Sequence, residues 1–357
     1  MNNTYKILII APAWVGDLVM SQTLFKLLKK QYGDDLELDV CANTWAGGIL
    51  SRMPEVNNVI ANPFAHKELS LLKRIKLGKS IRQKQYDQVF VLPNSFKSAI
   101  IPFFAKIKKR TGFIGESRFC VLNDIYKLDK QKLPLMIDRF CALANGGEKP
   151  LNIEYPRLTT DKNNQQLLIT KFNLDPERSI IAFCPAAEYG PAKRWFPEHF
   201  AKLADMLIKD NYQVIILGSD KDVAIGEEII DKTTIIASAS EAIQQSVIPA
   251  KAGIHKNKII NVCGKTNLTD AIDLLGLSHT VVTNDSGLMH IACAVNSNVV
   301  ALYGASSPKF TPPLSDKAAI IQIKLFCSPC MQRTCRFGHY NCLKFITPAM
   351  VYAKIKH

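Results

Sequence analysis

Two short apolar runs, each followed by a proline, constrain this chain more than any other feature. Lys6-Ile-Leu-Ile-Ile10 is apolar without interruption beyond its lysine, as a parallel strand covered on both faces requires. It leads into Pro12-Ala-Trp-Val-Gly-Asp17, after which apolar residues recur at helical spacing from about Leu18 to Tyr32. Leu36 to Cys41 and Gln88 to Leu92 read as further strands. The plan restarts at Ser179-Ile-Ile-Ala-Phe-Cys184, which Pro185 closes. A helix from Phe200 to Lys209 follows, then strands at Gln213 to Leu217, Thr280 to Thr283 and Val299 to Tyr303. This alternation predicts an α/β chain with doubly wound parallel sheets. A length of 357 residues suits two such domains. We place them at residues 1–155 and 156–357, facing across a cleft, with the junction in the polar stretch between Pro150 and Asp175. Residues 237–258, with Pro249 and Gly253, break the rhythm and read as a surface insertion.

Open α/β sheets place ligands where strands end, so the strand ends carry the candidate chemistry. At Asn284-Asp-Ser-Gly-Leu-Met-His290 a strand gives way to a helix, with Asp285 or Ser286 as N-cap. Free backbone N–H groups and the helix dipole suit such a start to phosphate; an ordinary capped helix with a core histidine is the alternative. Gly190-Pro-Ala-Lys-Arg-Trp195 follows the second domain's first strand. Lys193 there fits a diphosphate clamp, since an ammonium is a compact charge, or belongs to a solvated basic loop. Asp17 stands at the matching point of the first domain, either as a helix-start carboxylate or as a base for a hydroxyl.

Composition excludes several classes. The net charge of +14 calls for a polyanionic partner or plain solubility. Its cations gather at Lys73, Arg74, Lys76, Lys79, Arg82 and Lys84, and again at Lys106, Lys108, Lys109 and Arg110. No helix-turn-helix, zinc-finger or aromatic RNA-binding pattern accompanies them, which points away from nucleic acid. No signal peptide is legible, and no stretch approaches the roughly 20 apolar residues that span a bilayer. A cytoplasmic protein touching the inner membrane surface is expected. Neither first strand leads into G-x-G-x-x-G, and no G-x-x-x-x-G-K-[ST] or G-x-S-x-G occurs. Cys41, Cys120, Cys141, Cys184, Cys263 and Cys293 read as reduced core residues. Cys327-Ser-Pro-Cys330, Cys335 and Cys342, with His339 among them, could hold a structural zinc, form labile disulfides or remain plain thiols.

Longer motifs carry a resemblance. Trp14-Val-Gly-Asp17, Leu50-Ser-Arg-Met-Pro-Glu-Val56, Val91-Leu-Pro-Asn-Ser-Phe-Lys-Ser98, Gly190-Pro-Ala-Lys-Arg-Trp195 and Thr283-Asn-Asp-Ser-Gly-Leu-Met-His290 are among them. Together with Tyr303-Gly-Ala-Ser-Ser-Pro308 and Phe310-Thr-Pro-Pro-Leu314, they resemble the ADP-heptose:lipopolysaccharide heptosyltransferases of glycosyltransferase family 9. Pro93 to Lys97 and Gly190 to Trp195 resemble the second inner-core enzyme more than the first.

The resemblance implies the GT-B fold, two Rossmann-like domains, and an inverting transfer that needs no catalytic metal. ADP-heptose would be the donor, bound by the C-terminal domain. The acceptor would be Kdo2-lipid A carrying its first heptose, reached at the cytoplasmic face of the inner membrane. On this resemblance Asp17 is the general base and Lys193 the diphosphate-binding lysine. Asp285, Ser286, Gly287 and His290 form the donor loop, Glu188 lies in the loop after the first strand of the donor domain, and Asp220 lies near the nucleoside. Asn94, Ser95, Lys97 and Arg118 are candidates for contact with the acceptor. A related enzyme with another nucleotide sugar or acceptor, or a non-catalytic binding homologue, remains the alternative.

Overall fold

The computed structural model describes residues 4–64, 68–234 and 258–356. The expected insertion therefore lies outside the described residues, apart from Lys258. The chain divides into two compact units. One is Met1–Thr159 with Lys309–Thr311, the other Thr160–Pro308 with Pro312–His357.

In the first unit the strands are β1 (Tyr5–Ile10), β2 (Leu36–Asn43), β3 (Asn58–Asn62), β4 (Gln88–Val91), β5 (Lys109–Phe113) and β6 (Asp124–Tyr126). Among the described residues they form one sheet in the order β3-β2-β1-β4-β5-β6. Every pairing is parallel. The second unit repeats this with β7 (Ile180–Cys184), β8 (Gln213–Ile216), β9 (Ile259–Asn261), β10 (Thr280–Asn284), β11 (Asn298–Tyr303) and β12 (Ala318–Gln322). Its order is β12-β11-β10-β7-β8-β9, again all parallel. Both sheets are the doubly wound type, and each reverses direction beside its first strand, at β1/β4 and β7/β10. The crevice outside such a switch point is where ligands sit.

The apolar runs explain the central strands. Leu8 and Ile10 join Val89, Val91 and Ile101 in one core, and Ile7 and Ile9, also fully buried, face the other side. In the second unit Ile181, Phe183, Val214 and Ile216 pack with Phe200, Leu203 and Leu207 of the helix Pro197–Lys209. The edge strands β3, β6, β9 and β12 are not legible in the sequence pattern, nor is β5, which lies between β4 and β6 but opens on Lys109 and Arg110. A strand with a neighbour on one side only need not be apolar throughout, and β3 is largely exposed along its length.

Two expectations need correction. Arg74 is not a surface cation: its guanidinium lies 4.1 Å from the Phe64 ring centroid and donates to the Leu69 carbonyl at 2.6 Å. Cys120 is exposed, whereas the other five scattered cysteines are buried as expected. Among the described residues no helix is long and apolar enough to cross a membrane.

In the first unit α1 (Val15–Tyr32) follows β1, α2 (Gly47–Leu50) follows β2, and α3 (Leu71–Ile81) packs on α4 (Ile100–Phe104). That contact depends on Gly78. A Cβ there would lie 2.5 Å from the Ile101 carbonyl oxygen and 2.9 Å from Phe104 Cβ. Gly78→Ala gains about 1 kcal/mol of helix propensity but forces backbone apart, an overpacking cost of about 1–3 kcal/mol. The variant is expected to melt below the wild type in a thermal unfolding scan; a higher melting temperature would show that the two helices separate freely.

Candidate functional site

The second unit's site is built on the loops leaving β7 and β10, which flank its switch point. Asn284, the last residue of β10, is fully buried and serves both ends of the loop 185–195. Its Oδ1 accepts from the Trp195 N–H at 3.0 Å, and its Nδ2 donates to the Pro185 carbonyl at 2.6 Å. Trp195, also fully buried, anchors that loop by packing on Phe200 and donating through Nε1 to the Ile346 carbonyl at 2.9 Å. Removing a partner from so enclosed an amide leaves unsatisfied groups worth about 1–3 kcal/mol each. The loop is therefore held, and Lys193 with it.

Lys193 Nζ donates to Asp285 Oδ2 at 2.6 Å. Asp285 is 5% exposed and the Lys193 side chain 17%, so solvent screens this pair only weakly. Of the two residues read as N-cap, Asp285 is thus taken up by the lysine. Ser286 occupies the N-cap of the helix Gly287–Ala294, but its side chain makes no capping bond. Ser286 Oγ is buried without a hydrogen-bond partner, as is His290 Nδ1 one turn further on. Ser306 Oγ, in the segment after β11, is in the same state. Buried polar groups are rarely left so, and here they accompany a helix start and a lysine, the surroundings an anionic ligand needs.

His290 is neutral near pH 7. Burial, the largest influence, holds its imidazole down at about 4 against an ordinary 6.5, while the Asp285 carboxylate raises it and Lys193 lowers it. With the folded value below the unfolded one, the unfolded chain takes up the proton first as pH falls. Stability contributed by the neutral imidazole is present above about 6.5 and lost as pH falls towards about 4. His290→Gln should therefore flatten the decline of melting temperature across that window; an unchanged slope would show that His290 is not held neutral.

The remaining donor-side candidates sit at the rim. Glu188 and Asp220 are exposed, and Lys221 Nζ lies 3.5 Å from Glu188 Oε1, which links the turn after β8 to the loop after β7. Both partners of that pair are largely in solvent, so it contributes little stability. Gly287 opens its helix and is partly buried.

The C-terminal cysteines stand in one of the three states expected of them, as plain thiols. Among the described residues no three His, Cys, Asp or Glu side chains are grouped to hold a metal. Cys327, Cys330, Cys335 and Cys342 are free thiols, with Cys335 Sγ 4.0 Å from His339 Nδ1. The segment also braces the lysine loop. Tyr189 Oη donates to the Met331 carbonyl at 2.6 Å, and the Ala192 N–H to the Arg333 carbonyl at 3.0 Å. Gly190, at φ +150°, brings its backbone so close that a Cβ would sit 2.5 Å from that Arg333 oxygen. The Lys193 ammonium lies 5.0 Å from the Tyr189 ring centroid. Spacing offers no signal for this brace. Asn284 had one, being a polar residue at the end of a buried strand.

In the first unit the candidates again flank the switch point. Asp17 is partly buried in the first turn of α1, just beyond β1. Asn94, Ser95 and Lys97 follow β4; Asn94 is exposed, the other two are half-buried, and Lys97 Nζ donates to the Glu68 carbonyl at 3.2 Å. Arg118 is fully enclosed. Its guanidinium donates to the carbonyls of Pro93 at 2.7 Å and of Phe113, and to Ser98 Oγ at 3.2 Å. Burial lowers its pKa to about 10, with Glu116 opposing, so it stays charged near neutrality. It acts as a strut beneath the 93–98 loop.

The family description Glycosyltransferase family 9 (heptosyltransferase) matches residues 74–341. The Lipopolysaccharide heptosyltransferase 2 of Escherichia coli (strain K12) is 43% identical over 357 residues, covering 98% of this chain and 97% of that one. The Lipooligosaccharide heptosyltransferase 2 of Haemophilus influenzae is 46% identical over 326 residues, covering 89% and 88%. A solved structure, that of E. coli ADP-heptose lps heptosyltransferase II, superposes with a TM-score of 0.83 at 40% identity, covering 98% and 97%.

Proposed function

This chain belongs to glycosyltransferase family 9 and is a glycosyltransferase, and from that premise we propose that it moves heptose from ADP-heptose to heptosyl-Kdo2-lipid A. The reaction builds the lipopolysaccharide inner core and inverts the anomeric centre. The observation that carries the donor half is the Lys193–Asp285 pair beside the unsatisfied Ser286 and His290 at a helix start. The identity of the sugar rests on the near full-length likeness to enzymes named as heptosyltransferases, and that of the acceptor on the motif resemblance.

On this reading Asp17 takes the proton of the acceptor hydroxyl as that oxygen attacks the anomeric carbon, from the face opposite the departing ADP. The transition state has oxocarbenium character, as in inverting glycosidases. Lys193 and the N–H groups opening the helix Gly287–Ala294 compensate the charge growing on the diphosphate. A neutral His290 donates or accepts a hydrogen bond there without adding charge. Glu188 and Asp220 lie on the nucleoside side. Asn94, Ser95 and Lys97 meet the acceptor, and Arg118 shapes their loop. The protein works as a peripheral protein on the cytoplasmic face of the inner membrane.

The test supplies ADP-heptose and heptosyl-Kdo2-lipid A and follows ADP release and product mass. Turnover that EDTA leaves unchanged is expected, because the charge compensation is assigned to Lys193 and the helix start. No transfer, or equal transfer from UDP- or GDP-sugars, would sink the proposed substrates, and loss of activity with EDTA would sink the metal-free scheme.

A further inference from the structure

We propose that α3 and the turn from α4 into β5 form the surface by which this protein docks on an anionic phospholipid bilayer. Between these elements lies a hollow of about 570 Å³, lined by Lys79, Arg82, Lys106, Lys108, Arg110 and Phe103 among others, none of them acidic. Arg110 is turned inward, donating to the carbonyls of Val121 at 2.8 Å and Ile107 at 2.6 Å. Lys79, Arg82, Lys106 and Lys108 are exposed, and no acidic residue occurs from Leu69 to Tyr86 or from Phe96 to Ile114 to neutralise them. Lys84 and Lys109, at the margins, are the cations that find carboxylates, Asp39 at 2.9 Å and Asp124 at 3.5 Å.

Apolar side chains stand among these charges. Leu72 is 81% exposed and Phe103 38%. Along α3, Leu72, Lys76 and Lys79 are spaced four and three apart, so they form one stripe on the helix. An amphipathic surface that pairs lysine and arginine with exposed leucine and phenylalanine fits the boundary between headgroups and acyl chains. Phosphates there meet the cations, while Leu72 and Phe103 enter the apolar layer. A nucleic acid would satisfy the cations but leave Leu72 in water, and one exposed aromatic ring makes no stacking platform. The close contact at Gly78 locks α3 to α4, so the two halves of the surface move as one.

The inference deepens the transferase reading, which needs a membrane-held acceptor, but it is tested without donor or acceptor. The protein is floated with vesicles of phosphatidylcholine, with or without phosphatidylglycerol. Binding only to the anionic vesicles, weakened by salt, is expected. Each cation at such a surface contributes roughly a fivefold gain in partition, so Lys79→Glu, Arg82→Glu and Lys106→Glu together should lower it by about 100-fold or more. Lys202→Glu, Lys209→Glu and Lys354→Glu, on the other unit, change net charge equally and should lower it far less. Leu72→Ser with Phe103→Ser should reduce partition by about tenfold or more while leaving its salt dependence. Circular dichroism of each variant checks folding. Three outcomes would overturn the proposal: no binding to anionic vesicles, equal losses from both charge-reversal sets, or capture of an RNA oligomer in place of vesicles. None of them would bear on sugar transfer.

Discussion

Asp17→Asn is expected to lower kcat by about 10²–10⁴-fold, the usual contribution of a positioned general base, while the enzyme's affinity for the ADP-sugar stays unchanged. The substitution preserves shape and removes the carboxylate to which the base role is assigned. Asp17 also stands in the first turn of α1, where a carboxylate stabilises a helix through its dipole by about 0.3–1 kcal/mol. Magnitude separates the two roles. A 10²–10⁴-fold loss of rate is roughly 3–5.5 kcal/mol of barrier, more than a helix-start charge supplies. A variant that melts slightly earlier and turns over normally would reduce Asp17 to a helix-start residue. A variant that melts normally and barely turns over is the expected result.

Lys193→Ala should cost about 10²–10³-fold in kcat, as the loss of other preorganised charge stabilisers does. It should also destabilise the fold, because Asp285 is only 5% exposed and would be left without its ammonium. Breaking a buried pair on one side typically costs about 3–5 kcal/mol. The two effects can be parted. Adding Asp285→Asn to Lys193→Ala removes the uncompensated charge, so the melting temperature should recover while the rate does not. Recovery of both would mean that Lys193 acts by supporting the fold alone. Recovery of neither would mean that Asp285 contributes to the site beyond holding the lysine.

Much of the fold is legible in the order of residues. Lys6 to Ile10 and Ser179 to Cys184 are apolar because central parallel strands are covered on both faces, and each marks the first strand of its sheet. Edge strands such as β3 and β12 escape that reading, having only one neighbour. Turn residues at strand ends point to Asp17, Lys193 and Asp285 to His290, since a doubly wound sheet offers its ligand site there. The kind of reaction came from longer motif resemblance, not from periodicity.

The order of residues marks β1, β2 and β4 and β7, β8, β10 and β11, where they stop and which charged residues stand at those stops; β5, although paired on both sides, is not legible there. What those charged residues face is set by the fold. Lys193 and Asp285 are 92 positions apart and become a 2.6 Å pair because β7 and β10 lie side by side. Asn284 closes the loop above them, and the cysteine-bearing segment props Gly190 and Tyr189. Arg118, on sequence a candidate for contact with the acceptor, is enclosed beneath the 93–98 loop. Local pattern reports period and burial, which act between near neighbours. The partners of a side chain at a strand's end depend on sheet order, and that is set by how whole strands and helices pack.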